Sequence, residues 1–427
     1  MKERRYKWYK IDNSALVYQM IITPYAQSLF RLGATLAESV KKPVLVGALE
    51  KAFQRHPYFR SELKRGFFRP YFDENPQSFV VEKDDGKLLN LIDFKKNNRY
   101  VLRVTYYGRR IFIDFFHGLC DGYGAMEFLK TVLFYYCELS RHPIEHEMIK
   151  TLADPYDEEE TEDAFAKYYL KPSFTKGVNS MASGRAFPIR DKTFHSSGYG
   201  LIQAKVNTSS LLSASRLRHC SITVLLTALM LDSVAKVYGW ETENCNYVAF
   251  IPINLRKRYP SKSLRNFTIF AKCVIPRGVE VTFENMVPIV RKLLQDQLNA
   301  DEMELKMGFS SLLATMPLLK YMPLFIKSFI SQVSRRLSAQ KQTFILSNLG
   351  HVEMDDNDLV KEIFFNLNCN KRTPDNVAVV SYGEDTIISF TRKIISTEIE
   401  KEFCRSLAKL VGKVEVISNF REESDAL

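Results

Sequence analysis

One short stretch, Ile111-Phe112-Ile113-Asp114-Phe115-Phe116-His117-Gly118-Leu119-Cys120-Asp121-Gly122-Tyr123-Gly124, limits what this chain can fold into more than any other. The run from Ile111 to Phe116 is short and rich in β-branched and aromatic residues, which predicts a buried strand. Glycines break the pattern, and then Met126, Leu129, Val132, Leu133 and Tyr136 recur on one helical face. His117 therefore stands where a strand stops. Asp121 stands where a helix begins, a place that suits an aspartate as N-cap. Side chains at such a corner are held by rigid elements on both sides, which favours chemistry there.

The rest of the chain alternates between the same two periods. Ala15 to Ile22 reads as a strand; after Pro43, Leu45, Ala48, Leu49, Ala52 and Phe53 mark a helix that ends near His56-Pro57. Ser78–Val81 and Tyr100–Tyr107 read as strands, the second forming a hairpin with the histidine strand across Gly108-Arg109-Arg110. Residues 154–163, acidic and without apolar spacing, read as a solvated loop beside a domain boundary, and a connection rich in Ser, Gly and Lys runs on to Gly200. Beyond it come strands at Leu201–Val206 and Val248–Arg256 around an almost wholly apolar helix, Ile222–Tyr238. Further strands fall at Phe344–Gly350, Val377–Tyr382 and Thr386–Phe390. A last helix opens on a Thr397/Glu400 capping box and buries Ile399, Phe403, Leu407 and Leu410. This is a mixed α/β pattern, and 427 residues are long for one core, so two domains are expected, 1–165 and 166–427.

Composition narrows the partners. The net charge of +11 admits nucleic acid, an anionic membrane or a phosphorylated ligand. No zinc finger, RNA-binding signature or basic helix with interleaved aromatics is present, which argues against nucleic acid. Seven widely spaced cysteines without a Cys-x-x-Cys pair point to reduced thiols and to no metal site. With no apolar run near the roughly 20 residues that span a bilayer, a cytoplasmic chain is expected, as a monomer. The segment 306–341 carries Leu312, Leu313, Met316, Phe325 and Phe329 among Lys320, Lys327, Arg335 and Arg336. It reads either as a basic amphipathic helix on a membrane surface or as a helical hairpin broken at Pro317 and Pro323.

The spacing His117-x-x-x-Asp121-Gly122 resembles the signature of the chloramphenicol acetyltransferase-like superfamily, which includes peptide-synthetase condensation domains and stand-alone alcohol O-acetyltransferases. The fuller signature carries two adjacent histidines; here Phe116 replaces the first, and the second, usually the essential one, is His117. Further landmarks follow in order: His56-Pro57-x-x-Arg60, then Pro252-Ile253-Asn254-Leu255-Arg256, then Asn266-Phe267, then Ser347-Asn348-Leu349-Gly350, which is similar to alcohol acetyltransferase-type members. A structural Asp-Phe-Gly-type motif common in other members is absent, which argues against the plant alcohol acyltransferases.

The resemblance implies two domains, each a mixed sheet flanked by helices, with an active-site tunnel at their interface. It implies acyl transfer from acyl-CoA, as co-substrate, to an alcohol that attacks directly, without bound cofactor or metal. His117 would be the general base, since an imidazole with a pKa of about 6.5 takes and returns a proton near neutrality. Asp121 would be structural, paired with Arg256; Gly122 would let backbone approach the tunnel, and Ser347 and Asn348 would line it, Ser347 as oxyanion donor. Two alternatives stay open: a condensation enzyme that takes its donor from a carrier protein, and a binding protein that kept the fold without catalysis.

Overall fold

The computed structural model describes residues 7–12, 15–20, 22, 27–86, 88–89, 91–168, 184–194, 199–239, 245–276, 279, 282–316, 320–337, 340–355 and 357–419. Three sheets carry the fold. A five-stranded sheet runs in the order Val360–Leu367, Leu29–Leu36, Arg110–Phe116, Leu102–Tyr107, Val81–Lys83. A seven-stranded sheet runs Thr268–Ile275, Tyr247–Asn254, Phe344–His351, Asp375–Tyr382, Asp385–Arg392, Gly200–Asn207, Glu415–Ser418. A small sheet joins Trp8–Lys10 to the hairpin Ser61–Arg65/Pro70–Glu74. Helices Lys42–Arg55 and Gly122–Leu139 pack together over the first sheet, and Ile222–Tyr238 packs with Phe283–Gln297 and Glu398–Val411 over the second. This is the mixed α/β architecture that the periodicities predict, with the two mixed sheets flanked by helices that the resemblance implies.

The strand Val360–Leu367 ties the halves together. It pairs antiparallel with Leu29–Leu36, so the first sheet takes an edge strand from late in the chain. The hairpin expected at Gly108-Arg109-Arg110 is in register, Leu102 opposite Phe115 and Tyr107 opposite Arg110. Two arginines meet one buried carboxylate across that sheet: the buried Arg31 Nε donates to Asp114 Oδ1 at 2.6 Å, and the half-buried Arg103 Nη2 donates to Asp114 Oδ2 at 2.6 Å.

Several sequence readings change. Ala15–Met20 is a helix, not a strand: among the described residues no strand pairs with it, and Asp12 Oδ1 accepts the Ala15 N–H at 2.5 Å. The strand expected over Ser78–Val81 lies at Val81–Lys83, parallel to Leu102–Tyr107. The connection before Gly200 falls largely outside the described residues. The acidic run is not simply solvated. Glu160 is 1% exposed and receives Arg55 through two bonds, 2.9 and 2.7 Å, and Lys150 at 2.8 Å.

The expected capping box at the last helix is also replaced. Thr397 makes no side-chain cap bond, and Glu400 turns inward to the fully buried Arg392, Oε1 lying 3.5 Å from its Nε. Burial, only partly offset by Arg392, raises the Glu400 pKa to about 7, and Asp375 beside it is raised for the same reason. A carboxyl whose pKa rises on folding stabilises the fold fully below its unfolded pKa of about 4.5, and that stabilisation is lost as pH rises through the folded pKa near 7. Glu400→Gln, which stays neutral, is expected to raise the melting temperature relative to wild type at pH 8 and to lose that advantage by pH 5. Melting curves at the two pH values check this, and an advantage that does not depend on pH would remove the titration account.

Candidate active site

The strand Arg110–Phe116 delivers its last pleat to the gap between the two large sheets. His117 follows, its N–H donating to the Ser28 carbonyl at 2.8 Å. The chain then turns tightly. A Cβ on Gly118 would meet the Phe116 ring at 2.4 Å. Helix Gly122–Leu139 begins at once, capped by Asp121, whose Oδ1 accepts the Gly124 N–H at 3.1 Å. Gly124 has no alternative, because a Cβ there would sit 1.9 Å from the Leu264 carbonyl oxygen. The helix start is thus pressed against a loop from the other half of the chain.

That loop is clamped by the ion pair. Asp121 Oδ2 accepts from Arg256 Nη1 at 2.7 Å, from the Phe267 N–H at 2.9 Å and from Thr268 Oγ1 at 3.0 Å. Arg256 also donates to the carbonyls of Ser263 at 2.9 Å and Arg265 at 2.6 Å and to Asn254 Oδ1 at 3.1 Å, and its guanidinium lies 4.4 Å from the centre of the Tyr123 ring. Four of the five guanidinium N–H donors of Arg256 are engaged by these partners, which fastens the loop to the helix start. The acidic segment completes the hold: Leu264 N–H donates to the Glu160 carbonyl at 2.8 Å, and Ser263 Oγ donates to the Glu162 carbonyl at 2.7 Å.

The loop brings Asn266 to the histidine. The His117 Nδ1 lies 3.1 Å from Asn266 Oδ1, so in the neutral ring Nδ1–H donates and Nε2 keeps its lone pair. Tyr18 stacks on the imidazole at 4.2 Å with planes 18° apart, and Phe30 meets it edge-on at 5.2 Å. Burial lowers the His117 pKa, with its own carbonyl, Asp121 and Asn266 pulling the other way. That lowering favours the uncharged imidazole at pH 7. Cys120 is buried, and burial pushes its thiol well up, which disfavours the thiolate.

His117 opens on a cavity of about 770 Å³ between the sheets, within the usual range for small-molecule sites. Asp121, Gly122, Arg256, Asn266, Ser347 and Asn348 all line it, so every candidate residue named from the sequence converges here. They differ in freedom. Ser347 is 7% exposed and presents its side chain among the cavity-lining residues. Asn348 is engaged at both ends, Oδ1 accepting the Gly350 N–H at 2.8 Å and Nδ2 donating to Thr223 Oγ1 at 3.1 Å. Gly122 is where Leu349 reaches the helix start, since a Cβ would meet a Leu349 methyl at 2.4 Å. His56 is a buried helix-end residue, 3.0 Å from Thr131 Oγ1. No group of histidine, cysteine and carboxylate residues fit for a metal occurs among the described residues. Sequence reading missed Tyr18 and the contact of Asn266 with the imidazole; the Asn266-Phe267 landmark marked the position but not its partner.

No protein-family model and no curated protein sequence matches the chain. Solved structures do. Polyketide synthase associated protein 5 from Mycobacterium tuberculosis is 13% identical, with 95% of this chain and 98% of that one covered at a TM-score of 0.62. A trichothecene 15-O-acetyltransferase from Fusarium sporotrichioides is 12% identical, with 95% and 96% covered at 0.62. A starter condensation domain of rhizomide synthetase, solved with C8-CoA and Leu-SNAC, is 12% identical, with 95% of both chains covered at 0.58. At these identities the likeness is one of fold, and it extends over nearly the whole chain.

Proposed function

We propose that this chain, which has the fold of the chloramphenicol acetyltransferase-like and condensation-domain superfamily, is an acyltransferase that moves an acyl group from acyl-CoA to an alcohol. The carrying observation is the buried imidazole of His117 at the cavity, its Nδ1 3.1 Å from Asn266 Oδ1, an arrangement in which a neutral ring would leave Nε2 free to accept a proton. His117 Nε2 takes the proton of the acceptor hydroxyl as its oxygen attacks the thioester carbonyl. The Ser347 hydroxyl donates to the oxyanion that forms. When that intermediate collapses, the C–S bond breaks and the imidazolium returns the proton to the departing thiolate. Atoms and charge balance without a metal or an enzyme-bound acyl group. An acetyltransferase and a domain solved with an acyl-CoA on the same fold support this reading.

The structure of a condensation domain from a polyketide synthase and an epimerization domain of tyrocidine synthetase also share the fold, which favours one second reading: a donor delivered by a carrier protein. Donor assays separate the two. Free acyl-CoA with a panel of alcohols is expected to give saturable thiol release and the ester by mass, with no carrier protein present. Turnover seen only with an acylated carrier protein would favour the second reading.

A further inference from the structure

Of segment 306–341, residues 317–319, with the expected break at Pro317, and 338–339 lie outside the described residues. Most of the rest falls in helices Ala300–Thr315 and Leu324–Leu337, and the second of these turns two phenylalanines out and a lysine in. Phe325 and Phe329, one turn apart, are 70% and 69% exposed. Lys327 lies on the other side of the helix, about 200° from Phe325 at 100° per residue, and is 5% exposed. Its Nζ donates to the Phe68 carbonyl at 2.8 Å and points toward the Lys320 carbonyl at 3.5 Å. A soluble helix turns its apolar stripe inward and its lysines to water. Here the lysine is the anchor and the phenylalanines face out.

The exposed rings continue across two elements. The tip of the hairpin Ser61–Arg65/Pro70–Glu74 carries Phe67 and Phe68, 68% and 44% exposed. The tip is tight, since a Cβ on Gly66 would come within 2.4 Å of the Arg69 carbonyl oxygen, and it is pinned to the helix by the Leu324 N–H, which donates to the Phe67 carbonyl at 2.8 Å. Phe67 meets Phe68 edge-on at 4.8 Å, and Phe68 meets the exposed Tyr321 at 6.5 Å. Arg65 and Lys320, both exposed, border this surface.

We propose that this aromatic face docks the chain on an anionic membrane surface, independently of which acyl donor the active site takes. Aromatic rings held outward by a rigid backbone enter the headgroup–acyl boundary, and the bordering cations and the net charge of +11 favour anionic lipid. A second copy of the chain is the poorer occupant, because self-pairing of this face would set Arg65 and Lys320 of both copies around one contact. Helix Leu324–Leu337 packs on Ala15–Met20, the helix whose Tyr18 stacks on His117, so the docking face lies one helix away from the cavity.

Flotation of the full chain with vesicles tests this. Wild type is expected to rise with phosphatidylcholine vesicles containing phosphatidylserine, to rise far less with phosphatidylcholine alone, and to release as salt is raised. Phe325→Asp/Phe329→Asp should cut the bound fraction at least about tenfold while melting like wild type, because both rings are already exposed. Leu217→Asp, at a 79% exposed leucine on helix Thr208–Leu217, should float like wild type. Wild type that stays at the bottom of the gradient, equal flotation on both lipids, or a Leu217→Asp loss equal to the double variant's would overturn the proposal. So would a wild-type dimer that the double variant converts to monomer without any flotation, since the face would then belong to a second copy.

Discussion

His117→Ala is expected to fold and to lose about 10²–10⁴-fold in turnover, the usual contribution of a positioned acid–base group. The ring packs between Tyr18 and Phe30, and aromatic contacts of this kind are worth about 1 kcal/mol, so a small drop in stability should accompany the loss. A drop that small cannot account for a hundredfold effect at a temperature where the variant is fully folded. The pH profile of the wild type supplies an independent reading. The imidazole must be neutral to accept the hydroxyl proton, and burial lowers its pKa, so turnover should hold at pH 7 and fall on the acid side with a midpoint below about 6.5. Asn266→Ala should leave the ring in place but free its tautomer, shifting that midpoint and lowering kcat more than it changes KM. Near-wild-type transfer by a folded His117→Ala variant on the true substrate would mean that the base lies elsewhere.

How much of this site the sequence disclosed follows from the range of the contacts. The strand–corner–helix around His117 and Asp121 is local, written in a change of period over fourteen residues, and the structure keeps it with the cap in place. The Asp121–Arg256 pairing spans 135 positions and was accessible only through the resembled motif. The Asn266 contact with His117 spans 149 positions and involves a residue type that suits many loops, so no periodicity could announce it. Glu160 was lost in a run of like residues. Seven neighbouring acids look alike in one dimension, and the arrival of Arg55, about a hundred residues away, selects one for burial. The inverted helix Leu324–Leu337 shows the same limit, because its periodicity gives an apolar face but not the direction in which that face points. Ala15–Met20 failed for a different reason. Six residues fit either period, and the decision fell to Asp12, outside the run.

Asp121→Ala is expected to be the most destabilising single change in the site, lowering stability by about 3–5 kcal/mol, the usual consequence of removing one partner of a buried pair. One carboxylate here accepts from four groups: the Gly124 N–H, Arg256 Nη1, the Phe267 N–H and Thr268 Oγ1. Truncation leaves a buried guanidinium without its anion and two backbone donors without acceptors, in a place that also holds the start of helix Gly122–Leu139 against Leu264. Asp121→Asn separates charge from geometry. The amide oxygen can still cap the helix, while the charge that faces Arg256 is gone, so its loss should be smaller than that of Asp121→Ala. Turnover should fall in both variants, because the loop fastened through Asp121 and Arg256 is the one that carries Asn266 to the imidazole. Urea unfolding gives the stability term as a lower midpoint at an unchanged slope, and assays well below that midpoint give the positioning term. An Asp121→Ala variant with the wild-type midpoint would show that the clamp is not what holds the two halves of the site together.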